Sequence, residues 1–172
     1  VADIDKDGDL DIISASQRDD KIAWYENNGA ADPSFSATTI STGADGATSV
    51  FVADIDNDGD LDIVSASEYD NKIAWYENNG ASDPSFSATT ISTGADGAQK
   101  VFVADIDNDG DMDIVSASEN DDKIAWYEND GAADPSFSAT TISTSADGAY
   151  DIYVADIDNC LLYTSPSPRD IG

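Results

Sequence analysis

The sequence predicts an all-β fold, a partial β-propeller of four-stranded antiparallel blades with about three blades and a truncated fourth. Three observations predict it. The chain repeats every 51 residues: Val1, Val52, Val103 and Val154 head equivalent segments, and residues 1–51 match 52–102 at 43 positions. Self-similarity at this period marks a propeller or a solenoid, whose copies share a core with their neighbours, and not three independent domains. Each period holds four short runs rich in β-branched and aromatic residues, separated by Asp, Asn, Gly and Pro clusters. An acidic loop in each copy leads into one of these runs and not into a helical pattern.

The elements of the second copy follow in order. A first strand over Val50 to Ala53 enters the acidic loop, and a second over Leu61 to Ala66 leaves it. Asp70-Asn71 turns the chain into a third, Lys72 to Glu77. After the Asn-Asn-Gly-Ala-Ser-Asp-Pro segment at 78–84, a fourth runs from Phe86 to Thr93 before the Gly94-Ala95-Asp96-Gly97 turn. Four strands per period is the content of one propeller blade. The organisation read from this is a repeat region over 1–159, with copies at 1–51, 52–102 and 103–153 and a stub at 154–159. Residues 160–172, from Cys160 through Ser165-Pro166-Ser167-Pro168, abandon the repeat in mid-motif. They look like translated sequencing-adapter read-through and are expected to be a non-native tail. Val1 aligns with Val52, inside the repeat, so the natural chain is expected to extend upstream; the lack of a visible targeting signal then carries no information.

The acidic loop is the chemistry of the chain. Asp54, Asp56, Asp58, Asp60 and Asp62 occupy positions one, three, five, seven and nine of a nine-residue segment, repeated as Asp3, Asp5, Asp7, Asp9 and Asp11 and as Asp105, Asp107, Asp109, Asp111 and Asp113. Hard carboxylate oxygens at this spacing suit Ca²⁺, which accepts six to eight oxygens in flexible geometry, better than Mg²⁺, which demands octahedral order. Gly8, Gly59 and Gly110 stand at position six, where the chain must turn sharply. Position seven would ordinarily offer only its backbone carbonyl. An EF-hand needs a bidentate Glu at position twelve and an exiting helix; here Ser14, Ser65 and Ser116 stand there, within β-branched runs. The plain alternative is an ion-free Asp-Gly turn. Five carboxylates crowded into nine residues repel one another unless a cation neutralises them, and the chain repeats that crowding three times.

Composition bounds the partners. With 36 acidic and 7 basic residues the formal charge is −29, and three divalent ions would bring it only to −23. Such a surface repels phosphate, which excludes a simple nucleic-acid or anionic-membrane binder. No apolar run approaches a membrane span, so no membrane insertion is expected. The single cysteine excludes a disulfide framework. With no histidine there is no Ser-His or Cys-His pair, and the usual zinc ligands are missing. Paired carboxylates could in principle serve a glycosidase, but the metal loops account for them. The chain is therefore read as non-catalytic.

The segments Ala53-Asp54-Ile55-Asp56-Asn57-Asp58-Gly59-Asp60-Leu61-Asp62 and Lys72-Ile73-Ala74-Trp75-Tyr76-Glu77-Asn78-Asn79-Gly80 resemble FG-GAP/VCBS repeats, the blades of propellers similar to the integrin α-subunit N-terminal domain. The resemblance covers residues 1 to about 159. It implies a calcium loop between the first two strands of each blade, with the fifteen aspartates named above as ligands of about three Ca²⁺. Asp156 and Asp158 match the start of a fourth loop, but Cys160 and Leu161 replace its third carboxylate and its glycine, so no site is expected there. The double-glycine signature of kelch blades does not occur, and WD repeats are shorter. Family propellers usually close with seven blades, so this chain is expected to need neighbouring blades of a longer parent. The implied setting is extracellular, secreted or cell-surface. The implied role is adhesion or protein interaction; the alternative is a lectin-like carbohydrate-binding module, attached to a polysaccharide-active enzyme, so that the partner is an extracellular protein or a glycan.

Trp24, Trp75 and Trp126 with Tyr25, Tyr76 and Tyr127 would be the sugar platforms of that alternative. Neighbours in a strand point to opposite faces, so they fit a core packed between blades better. Phe35, Phe86 and Phe137 are likewise expected as core anchors of the outer strand. The copies differ mainly at Arg18, Tyr69 and Asn120 and at Thr48-Ser49, Gln99-Lys100 and Tyr150-Asp151. These are loop and strand-entry positions that could contact a partner or simply drift.

Overall fold

The computed structural model describes residues 1–157. The expected tail at 160–172, and Asp158, Cys160 and Leu161 of the fourth loop, lie outside the described residues. Eleven strands form: β1 Ile12–Ser16, β2 Lys21–Asn27, β3 Phe35–Ser41, β4 Ala47–Ala53, β5 Asp62–Ser67, β6 Lys72–Asn78, β7 Phe86–Ser92, β8 Ala98–Ala104, β9 Asp113–Ser118, β10 Lys123–Asn129 and β11 Phe137–Ser143. They make three antiparallel sheets, β1-β2-β3, β4-β5-β6-β7 and β8-β9-β10-β11. The first sheet has no strand equivalent to β4; Val1-Ala2 contributes only an Ala2–Asp11 bridge. The described sheets form an open array of propeller blades, not a closed ring.

Each hairpin is set by local chemistry. The β5–β6 turn carries Asn71 at φ 57°, a left-handed conformation that Asn tolerates better than most residues, and Asp20 and Asp122 do the same at the equivalent turns. Register then places Ser65 opposite Ala74 and Val64 opposite Trp75. The bulge between Ile73 and Ala74 sharpens the twist of the outer pair, as the equivalent bulges do in the other two sheets.

The first strands of successive sheets lie against each other, β1 against β4 and β4 against β8. The fourth strands face outward and are largely exposed. The core consists of two layers between the three sheets. Between the second and third, Val64, Ile73 and Trp75 meet Val101, Ile114 and Tyr127. Between the first and second, Ile22 meets Ile63, Ala74 and Tyr76. Trp75 and Tyr76 thus serve opposite faces of one sheet, and both are fully buried, as is Trp24. Trp126, against whose outer face no described sheet packs, is only half-buried. Among the phenylalanines the structure separates the series: Phe86 and Phe137 pack on the core, whereas Phe35 is exposed because no sheet precedes the first.

Candidate metal centres

The acidic loops sit at the junction of the first and second strand positions, at one end of the blades. Each begins as the first strand ends and closes where the ninth-position aspartate enters the second. Their internal hydrogen bonds are nearly the same in all copies. The first aspartate accepts from the position-six glycine through Oδ2: Gly8 N to Asp3 at 3.1 Å, Gly59 N to Asp54 at 3.0 Å, Gly110 N to Asp105 at 3.2 Å. The third-position carboxylate accepts from the amide two residues on, as in Asp58 N to Asp56 Oδ1 at 3.2 Å. The fifth repeats the pattern with Asp60 N to Asp58 Oδ1 at 2.8 Å. These Asx turns wind the chain around a common centre. The position-six glycines have φ near +100°, 98° at Gly8 and 101° at Gly110, where a side chain would be strained.

Three carboxylates converge in each loop: Asp3, Asp5 and Asp7; Asp54, Asp56 and Asp58; Asp105, Asp107 and Asp109, with one oxygen from each lying within 4.8 Å of the others. Each triplet could hold a metal ion. Asp3 Oδ1 and Asp54 Oδ1 are buried and have no hydrogen-bond partner. A buried, unpartnered carboxylate oxygen beside two further carboxylates is an arrangement that a cation satisfies, so the donor set fits a hard divalent ion. Burial, reinforced by neighbouring carboxylates, raises the pKa of Asp5, Asp56 and Asp107 from the ordinary range, and each is thereby harder to ionise when no cation is near.

The other two aspartates of each pentad stand elsewhere. The ninth-position side chain is buried and braces backbone: Asp62 Oδ2 accepts Ile55 N at 3.2 Å and Oδ1 accepts Asn78 N at 2.8 Å. Asp11 and Asp113 make the same pair of contacts. Burial pushes the Asp62 carboxyl up to about 7 despite these two amides. Each oxygen keeps a second lone pair, so an accessory ligand role is chemically open to it. The seventh-position side chain folds over the glycine after the third strand: a Cβ on Gly80 would meet Asp60 Oδ2 at 2.1 Å. It also receives the fourth position of the preceding loop. Lys6 Nζ lies 2.5 Å from Asp60 Oδ1, and Asn57 Nδ2 donates to Asp111 Oδ1 at 2.8 Å. Ser65 and Ser116, at position twelve, lie inside buried strands with their hydroxyls near Tyr76 and Tyr127, at 3.5 and 3.4 Å. No exiting helix forms after any loop.

Position two connects the loops to the core. Ile4 and Ile55 are fully buried, and Ile55 joins the layer between the second and third sheets. Their carbonyls accept from the next blade, Asn78 Nδ2 to Ile4 O at 3.3 Å and Asn129 Nδ2 to Ile55 O at 3.0 Å. These asparagines, each ending a third strand, were not singled out as site residues by sequence reasoning. The signal available was the Glu-Asn pair that closes every Ile-Ala-Trp-Tyr run.

A family model described as FG-GAP-like repeat matches residues 3–65, 54–116 and 105–159. The chain belongs to the FG-GAP-like repeat family. No curated protein and no solved structure matches it. The matched repeats overlap, each starting at the first aspartate of one loop and ending past the equivalent aspartate of the next. An FG-GAP repeat in this chain therefore spans the sheet boundary, which is where the loop, its position-two isoleucine and the following blade meet.

Proposed function

We propose that this chain is a non-catalytic, calcium-binding FG-GAP module for interaction or adhesion outside the cell. The observation that carries the calcium reading is the triplet of converging carboxylates with an unpartnered buried oxygen on Asp3 and Asp54. A bound ion would neutralise the crowded charge. Asp3, Asp5 and Asp7 would hold it in the first loop, with their equivalents in the second and third. The buried isoleucine of each loop links occupancy to packing, because a loop held in place presents Ile4 or Ile55 to the neighbouring blade. Millimolar extracellular calcium fills even weak sites of this kind, whereas cytosolic levels do not.

A non-catalytic role is supported by the absence of histidine and by the use of the clustered acids in loop structure. Repeated, acidic and rigid, the blades offer a scaffold on which partners dock. Isothermal calorimetry of the purified chain tests the calcium reading, with about three ions expected to bind. Asp54→Ala with Asp58→Ala should remove one. Absence of heat, together with a melting temperature unmoved by chelator, overturns it.

A further inference from the structure

At the end of the blades opposite the metal loops lies a groove of about 350 Å³, lined by Ala15, Gln17, Ala47, Thr48, Gln99, Lys100, Tyr150 and Asp151. That size falls at the small end of the range for small-molecule sites. Three of the eight positions at which the first two copies differ contribute to it: Gln17, Thr48 with its counterpart Gln99, and Lys100. The repeat that makes the scaffold therefore does not make this lining. Each first strand brings a different side chain to the same height, and the groove is asymmetric as a result.

The lining has a definite polarity. Gln99 is buried and its Nε2 donates to Glu119 Oε2 at 2.9 Å, while Gln17 Nε2 donates to Glu68 Oε2 at 2.5 Å. Held this way, both amides keep their carbonyl oxygens as acceptors. Lys100 Nζ stands 3.8 Å from Asp151 Oδ1, so a cation and an anion lie side by side at the mouth. Tyr150 is 68% exposed at its edge, an aromatic ring free to stack on a flat apolar face. A ligand suited to this set carries several hydroxyls that both donate and accept, and one flat C–H face. It is also uncharged. The −29 charge of the chain repels anions, and Lys100 opposes a cation inside the groove.

We infer that this groove binds one neutral sugar unit, with Tyr150 as the stacking face and Gln99, Lys100 and Asp151 as hydrogen-bond partners. The inference rests on reading the chain as an extracellular interaction module and names the ligand class. It also relocates any carbohydrate function, because Trp24, Trp75, Tyr76 and Tyr127 are buried between blades and cannot reach a sugar.

Saturation-transfer NMR on the full chain in calcium tests it, with methyl glycosides of glucose, galactose and mannose, glucuronate as the anionic control and a lysine-rich peptide as the cationic one. At least one neutral glycoside is expected to show transfer, lost at least tenfold in Tyr150→Ala and in Lys100→Ala, with calcium stoichiometry and melting temperature retained. Transfer to glucuronate or the peptide alone, or to none of the probes, overturns the inference. So does neutral-sugar transfer that survives both substitutions. Calorimetry with Ca²⁺ on the same sample separates the two readings, since a protein that binds calcium but no sugar refutes only the groove.

Discussion

The two ends of the blades obey different rules. At the metal-loop end, Val1 to Ile12, Val52 to Ile63 and Val103 to Ile114 differ only at Lys6/Asn57 and Leu61/Met112. At the other end Gln17-Arg18, Glu68-Tyr69 and Glu119-Asn120 all differ, as do Thr48-Ser49, Gln99-Lys100 and Tyr150-Asp151. Both ends stitch neighbouring blades together. The loop end uses Asn78 on Ile4 O, and the opposite end uses Gly46 N on Asp20 Oδ1 at 2.9 Å, repeated by Gly97 on Asn71 and Gly148 on Asp122. The difference lies in what the side chains must satisfy. A loop that packs several carboxylates around one point tolerates few substitutions, whereas a strand entry that bonds through backbone leaves its side chains free to vary.

Calcium gives the sharpest test of that contrast. At a hundredfold excess over Kd each filled site should add about 2.7 kcal/mol, and a domain of this size gains about 2–4 °C per kcal/mol. Differential scanning calorimetry with and without chelator should show this gain, and Asp54→Ala should cut it by about one site. No substitution at the opposite end should alter it.

The next largest effect belongs to the isoleucine that carries the loop into the core. Ile55→Ala should cost about 2–5 kcal/mol in urea unfolding. Ile106→Ala, at the equivalent but half-buried position, should cost clearly less. Equal costs would show that the loop end is not coupled to blade packing. Asn129→Ala should follow at about 1–3 kcal/mol, since it leaves the buried Ile55 carbonyl without its donor.

The pH dependence of the metal-free protein tests the same end. Asp62 titrates at about 7 in the fold against an ordinary carboxylate value of 3.8 when unfolded. The folded state therefore holds a proton that the unfolded chain releases. Its contribution to stability is complete below about pH 4 and is lost as pH rises towards 7. Chelated protein should melt lower at pH 7.5 than at pH 5, and Asp62→Asn should flatten that slope. The smallest effects belong to exposed pairs. Lys6→Ala, which removes the contact with Asp60, should change stability by about 0–1 kcal/mol, and Tyr150→Ala by less than about 0.5 kcal/mol.

Much of this architecture was legible beforehand. The expected strands of the second copy coincide with β4 to β7 within a few residues, because Asp-Gly loops and Asx turns punctuate the β-branched runs. The alternation of Trp75 and Tyr76 between faces followed from the two-residue period of a strand. The pentad was only half legible. Its spacing located the loop but did not separate Asp54, Asp56 and Asp58, which converge, from Asp60 and Asp62, which turn to a neighbouring blade and to backbone amides.

Blade count, loop position and the chemistry of the acidic segments are properties of a repeating chain, set by contacts within a few residues, and the sequence alone determined them. Which carboxylates share a centre, which asparagine seals which carbonyl, and which variable side chains line one groove were decided by tertiary structure. Asn78 and Ile4 are 74 residues apart, and Thr48 meets the Ala98 carbonyl across a 50-residue separation. A periodic sequence offers the same partner in every copy, and only the stacking of one sheet on the next selects among them.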